Sequence, residues 1–243
     1  MSDMLEVRGL SASYGGKRIL ENVSLAVRSA EIVTVVGHNG AGKSTLLKSV
    51  FNLIPWRSGE IRLQGRDLLG LAPERILAAG IAYVPQHRSV FPGLTVDENL
   101  RMGGFLLRDK ALLASRIGNL RQLFPVLAER AGQLAGTLSG GEQRMLEIAR
   151  ALLMEPRLVM LDEPSIGLAP RMVDTVFHAV QLLKEQGKAI LMVEQNVKKA
   201  LAASDRAYVM ELGEIRLEDA APALIGDPRV ARLYMGRRPN ADR

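Results

Sequence analysis

The amino-acid sequence predicts an α/β fold with a mostly parallel sheet, an N-terminal antiparallel β-subdomain and an inserted helical subdomain. Three observations predict it. Four short apolar runs, residues 32–36, 81–84, 158–161 and 190–193, show no polar alternation. Strands buried on both faces read this way. Helical patterns separate these runs, which makes a parallel sheet with crossover helices the default. A mostly helical stretch, 95–156, falls between the second and third runs.

Each element has its own signal. "MLEVRGLSASYG", "ENVSLAV" and "GEIRLQGRDL" are short alternating pieces punctuated by glycine, the pattern of antiparallel strands. "TVDE" (95–98) and "SGGE" (139–142) both fit capping boxes, each opening a helix. Pro156 marks a helix stop. "YVMELGEIRL" (208–217) reads as a late hairpin turning near Gly213. No repeat or low-complexity linker interrupts the chain. One domain is expected over 1–243: core and β-subdomain in 1–86 and 157–220, helical subdomain in 87–156, and a C-terminal segment in 221–243. The tail "GRRPNADR" (236–243) reads as solvated.

Composition narrows the function classes. The 243 residues are 47% hydrophobic and 24% charged, enough for a sizeable core. Cysteine is absent, which excludes disulfide scaffolds and thiolate metal sites. The N-terminus lacks a basic-then-apolar signal pattern. No apolar run approaches the ~20 residues of a membrane span. The chain is therefore expected not to cross a membrane by itself. The net charge of +6 comes from scattered Arg and Lys, and no nucleic-acid partner is expected.

The residues just past each apolar run carry the chemistry. Gly37 ends the first, Pro85 and Gln86 the second, Asp162 and Glu163 the third, Glu194 and Gln195 the fourth. Ligands of open α/β sheets bind beyond the carboxyl ends of the strands, so the four endings suggest one shared site. Gly37-His38-Asn39-Gly40-Ala41-Gly42-Lys43-Ser44 matches the phosphate loop, between a strand and a helix. Its glycines let backbone N–H groups face phosphates, and the helix end adds positive potential. Lys43 is placed for the β/γ-phosphates, Ser44 for Mg²⁺ and Thr45 for the α-phosphate. His38 occupies a variable loop position and is expected at the surface. In "RLVMLDEP" (157–164), Asp162 is placed to hold Mg²⁺ through water, and Glu163 to orient and polarise an attacking water.

"LSGGEQRMLEIARAL" (138–152) decides between kinds of phosphate-loop machine. Ser139 and Glu142 fit a capping box, while Gly140 and Gly141 leave a helix N-terminus bare for an anion. Met145, Ile148, Ala149 and Leu152 share one helical face and read as core. A chain with two phosphate-seeking helix ends in this order resembles the ATP-binding-cassette (ABC) ATPases over nearly its whole length.

The resemblance implies a head-to-tail dimer. ATP on Lys43 of one subunit would be closed over by Ser139–Glu142 of the other, and hydrolysis would let the halves part. It also implies adenine stacking on Tyr14, and sensing of Mg²⁺ and water by Gln86. "FPGLTVDENL" (91–100) would face membrane subunits, and "SIGLAP" (165–170) would cross the dimer interface. Where the family usually has a switch histidine, this chain has Gln195. An amide donates a hydrogen bond but carries no positive charge, so slower hydrolysis is expected.

LSGGEQRMLEIARALLMEP, LDEPSIGLAP and VEQN together resemble one ATPase of the high-affinity branched-chain amino-acid importers. That resemblance implies a second, distinct ATPase as partner, with a homodimer as the alternative. It also implies two membrane permeases, a periplasmic binding protein and a place on the cytoplasmic face of a bacterial inner membrane. Relatives serving urea or short amides share the pattern. A soluble cassette of translation or DNA repair, or a nucleotide-binding regulator without catalysis, are the other classes. Such soluble cassettes typically carry two cassettes or a long coiled-coil insertion, and this chain has neither. Retention of Glu163 argues against the regulator.

Overall fold

The computed structural model describes residues 3–235, so the expectation for the tail 236–243 lies outside the described residues. The chain opens with β1 (Asp3–Tyr14) and β2 (Lys17–Arg28), then β3 (Ile32–Val36) and α1 (Lys43–Val50). After these come β4 (Trp56–Leu63), β5 (Arg66–Asp67), α2 (Pro73–Ala78) and β6 (Ile81–Val84). A helical block comes next: α3 (Val96–Gly103), α4 (Lys110–Leu123), α5 (Pro125–Glu129) and α6 (Gly140–Leu152). The chain returns to the sheet through β7 (Leu158–Asp162), α7 (Pro170–Glu185), β8 (Ala189–Glu194) and α8 (Val197–Ala202). It closes with the hairpin β9 (Arg206–Glu211) and β10 (Glu214–Ala220), then α9 (Ala221–Leu224) and α10 (Pro228–Met235).

Two sheets result. The first, in the order β2-β1-β4-β5, is antiparallel throughout. The second runs β10-β9-β3-β8-β7-β6, parallel except for the edge strand β10. The four apolar runs are thus contiguous strands, β3-β8-β7-β6, reaching the sheet's other edge. Their side chains alternate between two cores. Val33, Val35, Leu191 and Val193 face the antiparallel sheet and α1. Ile32, Val159, Leu161, Ile190 and Met192 face the helical layer. Both faces are covered, so polar alternation would strand polar groups in a core. Each large side chain buried this way contributes roughly 1.5–3 kcal/mol.

Register sets the site. Val36 pairs with Glu194, Asp162 with Val193, and Val84 with Leu161, so all four strands end within about a residue of one another. The helical block lies between β6 and β7, as expected. Thr95 and Ser139 close the two predicted capping boxes, each accepting from its N3 amide while the N3 glutamate accepts in return. The helix α6 stops at Leu152, ahead of Pro156. Glu155, just before the proline and three residues past the helix, sits in the left-handed region at φ +49°.

Candidate active site

The phosphate loop is built by close approach. Gly42 caps α1 in the left-handed region at φ +107°. A Cβ there would stand 2.8 Å from Leu20 Cδ2, so only glycine fits. No side chain caps α1, and its first amides are left for an anion. The loop is tied to both sheets by one residue of the late hairpin. Gly213 donates to Ala41 O at 2.9 Å and accepts from Glu21 N at 2.9 Å, with φ of +86°. His38, Asn39 and Gly40 are exposed at the loop's crown, in keeping with a surface role for His38.

Lys43 is buried. Its Nζ donates to Gly37 O at 2.8 Å and His38 O at 3.1 Å, and lies 3.4 Å from Glu163 Oε1. Gln86 Nε2 donates to Glu163 Oε2 at 2.9 Å. The residue expected as general base is thus held between a cation and an amide. Glu163 also sits at φ +46°, unusual for a residue with a side chain. Its own N–H is fixed on Val193 O at 2.9 Å. Strain of this kind concentrates at functional sites.

Ser44 Oγ donates to Asp162 Oδ1 at 2.7 Å. Tyr83 donates to Asp162 Oδ2 at 2.9 Å, and burial with the neighbouring Asp162 charge raises the Tyr83 pKa well beyond its ordinary value. Hydroxyl and carboxylate oxygens are the donors a hard cation such as Mg²⁺ prefers. Among the described residues no cluster of three or more His, Asp or Glu could cage a metal alone. A Mg²⁺ here would need phosphate oxygens and water to complete its shell, the usual arrangement for that ion.

Lys43, Glu163 and Gln86 form one bonded set and Ser44, Asp162 and Tyr83 a second, side by side because residues 43–44 and 162–163 are adjacent in the chain. Tyr14 ends β1 at 40% exposure, beside the Gly15–Gly16 turn. Gln195 is exposed at the end of β8. Ser139 and Glu142 bond each other, and Glu142 also pairs with Arg130. Ser139 is exposed, and Gly140 faces the Arg88 guanidinium, 3.1 Å from where its Cβ would be. Gly141 has a packing role that the sequence did not show. It is buried against Met172 of α7, so packing within the subunit requires it.

Sequence reasoning missed what α6 does behind that end. Arg144 is 5% exposed and donates to Pro85 O and Gln86 O, both at 2.9 Å. Glu147 pairs with Arg144 at 2.9 Å and also accepts from Ser89 N. Arg150 donates to Ser89 O at 2.5 Å and lies 4.8 Å over the Phe91 ring. The helix thus grips the backbone of the segment carrying Gln86. The available signal was a charged i,i+3 pair amid apolar positions. A cleft of about 520 Å³ beside Arg116, Glu155 and Lys188 contains none of these residues.

The ABC transporter family model matches residues 20–166, which hold the phosphate loop, the LSGGE helix and the acidic pair. The chain belongs to the ABC transporter family. It is an ATPase, the nucleotide-binding subunit of a transporter, and such subunits work with membrane permeases. BraG of Pseudomonas aeruginosa, a high-affinity branched-chain amino acid transport ATP-binding protein, is 46% identical to this cassette, covering 96% of it and 100% of BraG. LivF of Archaeoglobus fulgidus, described as a probable branched-chain amino acid transport ATP-binding protein, is 40% identical over 96% of this chain and 99% of its own. LptB of Escherichia coli, from a lipopolysaccharide export system, is 35% identical over 96% and 97%. Among solved structures, an ATP-binding cassette of an ABC transporter in its ADP conformation superposes with TM-score 0.89 at 25% identity, covering 98% of this chain and 100% of that one. Among the described residues, no helix of the cassette is long and apolar enough to cross a membrane.

Proposed function

We propose that this cassette powers a branched-chain amino-acid importer by ATP-driven closure with a second ATPase subunit. The observation that carries the catalytic part is Glu163, held between Lys43 and Gln86 at the end of β7. Before nucleotide arrives, Lys43 is neutralised by Glu163 and two loop carbonyls. The triphosphate exchanges those partners for phosphate oxygens on Lys43 and on the amides opening α1. Glu163 is then released from its cation and accepts a proton from the attacking water, which Gln86 helps to place. Ser44 and Asp162 would hold Mg²⁺, which when bound would neutralise charge on the phosphates. Tyr14 stacks on adenine, Thr45 binds the α-phosphate and Gln195 donates to the γ-phosphate.

The side-chain bonds of Ser139 and Glu142 run to each other and to Arg130, which supports Ser139, Gly140, Gly141 and Glu142 serving a partner's ATP. Membership of the family supports a cytoplasmic, peripheral position on a bacterial inner membrane, with two permeases. The cargo rests on likeness to BraG and LivF, and a periplasmic binding protein and a distinct partner ATPase belong to the same reading. LptB favours a second reading, export of a lipid-like cargo. Deleting this cassette in its host and measuring uptake of labelled leucine, isoleucine and valine decides between them. Loss of uptake restored by the wild-type chain supports the importer. Unchanged uptake in the deletion strain, with permeases co-purifying with the cassette from wild-type cells, overturns the cargo alone.

A further inference from the structure

Glu194 is a buried carboxylate that takes no part in the proposed hydrolysis. It ends β8, between β3 and β7 at the centre of the sheet, and is 1% exposed. No ion pair to it occurs among the described residues, yet three backbone amides converge on it. Oε1 accepts from Ser165 N at 2.9 Å. Oε2 accepts from Gln195 N at 3.0 Å and Asn196 N at 3.3 Å. Burial raises the Glu194 pKa, while the bonds from Ser165, Asn196 and Gln195 work the other way. An uncompensated buried charge is costly, so a group of this kind calls for an explanation.

The three donors belong to two loops. Ser165 lies two residues beyond Glu163 and opens the segment expected to cross the dimer interface. Gln195 and Asn196 form the switch segment, and the Asn196 side chain caps α8 by accepting from Lys199 N at 3.2 Å. A cleft of about 420 Å³ separates the loops, lined by Ser165, Ile166, Gly167, Gln195 and Asn196. Glu194 lies at that cleft and is bonded to both sides. Each loop has its own carboxylate oxygen, whereas a glutamine would turn an N–H donor toward one of them.

We propose that Glu194 is a positioning residue that locks the loop after Glu163 to the switch segment, so that Gln195 and the interface loop move as one unit. The proposal rests on the reading that Gln195 addresses the terminal phosphate. The Glu163 loop and its partner-facing continuation are thereby registered to the phosphate sensor through one carboxylate. Displacement of a positioned group by about an ångström can cost up to a hundredfold in rate, which sets the scale of the effect.

Steady-state ATP hydrolysis and nucleotide affinity should be measured in the assembled transporter for wild type, Glu194→Gln, Gln195→Ala and the double variant. Glu194→Gln should lower kcat roughly tenfold with ATP affinity within about twofold. The double variant should lose little beyond Gln195→Ala, because residues acting as one unit are not additive. Normal kcat in Glu194→Gln beside an impaired Gln195→Ala overturns the positioning role alone. An additive double variant overturns it too. An unimpaired Gln195→Ala overturns the reading of Gln195 and this proposal with it. Amide hydrogen exchange gives a readout that needs no variant. In the wild-type assembly the Ser165, Gln195 and Asn196 amides should be protected, and fast exchange at Ser165 together with Gln195 overturns the lock.

Discussion

Lys43 Nζ and Glu163 Oε1 stand 3.4 Å apart, and both side chains are buried. Each neutralises the other where little solvent reaches. Removing Lys43 alone leaves Glu163 charged and uncompensated, a change that typically costs about 3–5 kcal/mol. Lys43→Ala should therefore melt at a markedly lower temperature and fail to bind ATP. Adding Glu163→Gln to that variant should recover most of the melting temperature and none of the ATP binding. Unchanged ATP affinity in Lys43→Ala, read by calorimetry, would refute the cradle assignment.

Glu163→Gln keeps the shape of the side chain and its contact with Gln86 but cannot accept a proton. Hydrolysis should fall by roughly 10²–10⁴, the usual contribution of a general base. ATP binding should persist, so gel filtration with ATP and Mg²⁺ should show a trapped dimer with the cognate ATPase. A variant that stays monomeric with every such ATPase would contradict closure between two subunits.

Gln195→His tests the switch position. Imidazole restores a group that can carry positive charge near neutral pH. Single-site turnover measured with the partner present should rise above wild type. No gain would count against the account of this substitution.

Arg144→Met should release the segment bearing Gln86 from α6. With Glu147 left buried beside Ser89, about 3–5 kcal/mol of stability should go with it. Arg144→Met combined with Glu147→Leu should regain much of that stability, because apolar replacement of a buried pair is often neutral. Turnover should stay low in both. Full turnover in the double variant would show that the grip has no part in placing Gln86.

The two capping boxes set an acid limit. Backbone and hydroxyl bonds from Thr95 hold Glu98 below the ordinary glutamate range. Burial pushes Glu142 upward, but bonds from Ser139 and the Arg130 charge outweigh it. A lowered folded pKa means that the unfolded chain binds more protons. The stabilisation is thus complete above the unfolded value of about 4.3 and lost as pH falls through the folded one. Between about pH 6 and pH 3, Glu98→Gln/Glu142→Gln should lose less melting temperature than wild type. Parallel curves for the two proteins would argue against the caps as the titrating groups.

The core strands and their endings were legible because both faces of each strand are covered, which forces unbroken apolar runs whose first polar residues mark the site. The capping boxes were legible for a local reason, since their partners lie three residues apart. Arg144 and Glu147 were not, because their partners Pro85, Gln86 and Ser89 sit far away in the chain and only packing reveals the pairing. The packing role of Gly141 was hidden for a similar reason. Its neighbour Met172 comes from α7, and bareness toward an anion and tightness toward a helix look alike in a string of letters. Tyr83 was hidden in an apolar run, though a phenol in a buried strand end signals a polar partner, here Asp162.

The hairpin turn at Gly213 reaches from the far end of the chain to Ala41 and Glu21, joining the nucleotide loop to both sheets through one residue without a side chain. Part of the loop's stiffness is therefore borrowed from that turn. Any widening of that turn would slacken the anion cradle without touching a single group that meets the phosphates, and damage to catalysis could originate in a residue that no chemist would place in the reaction.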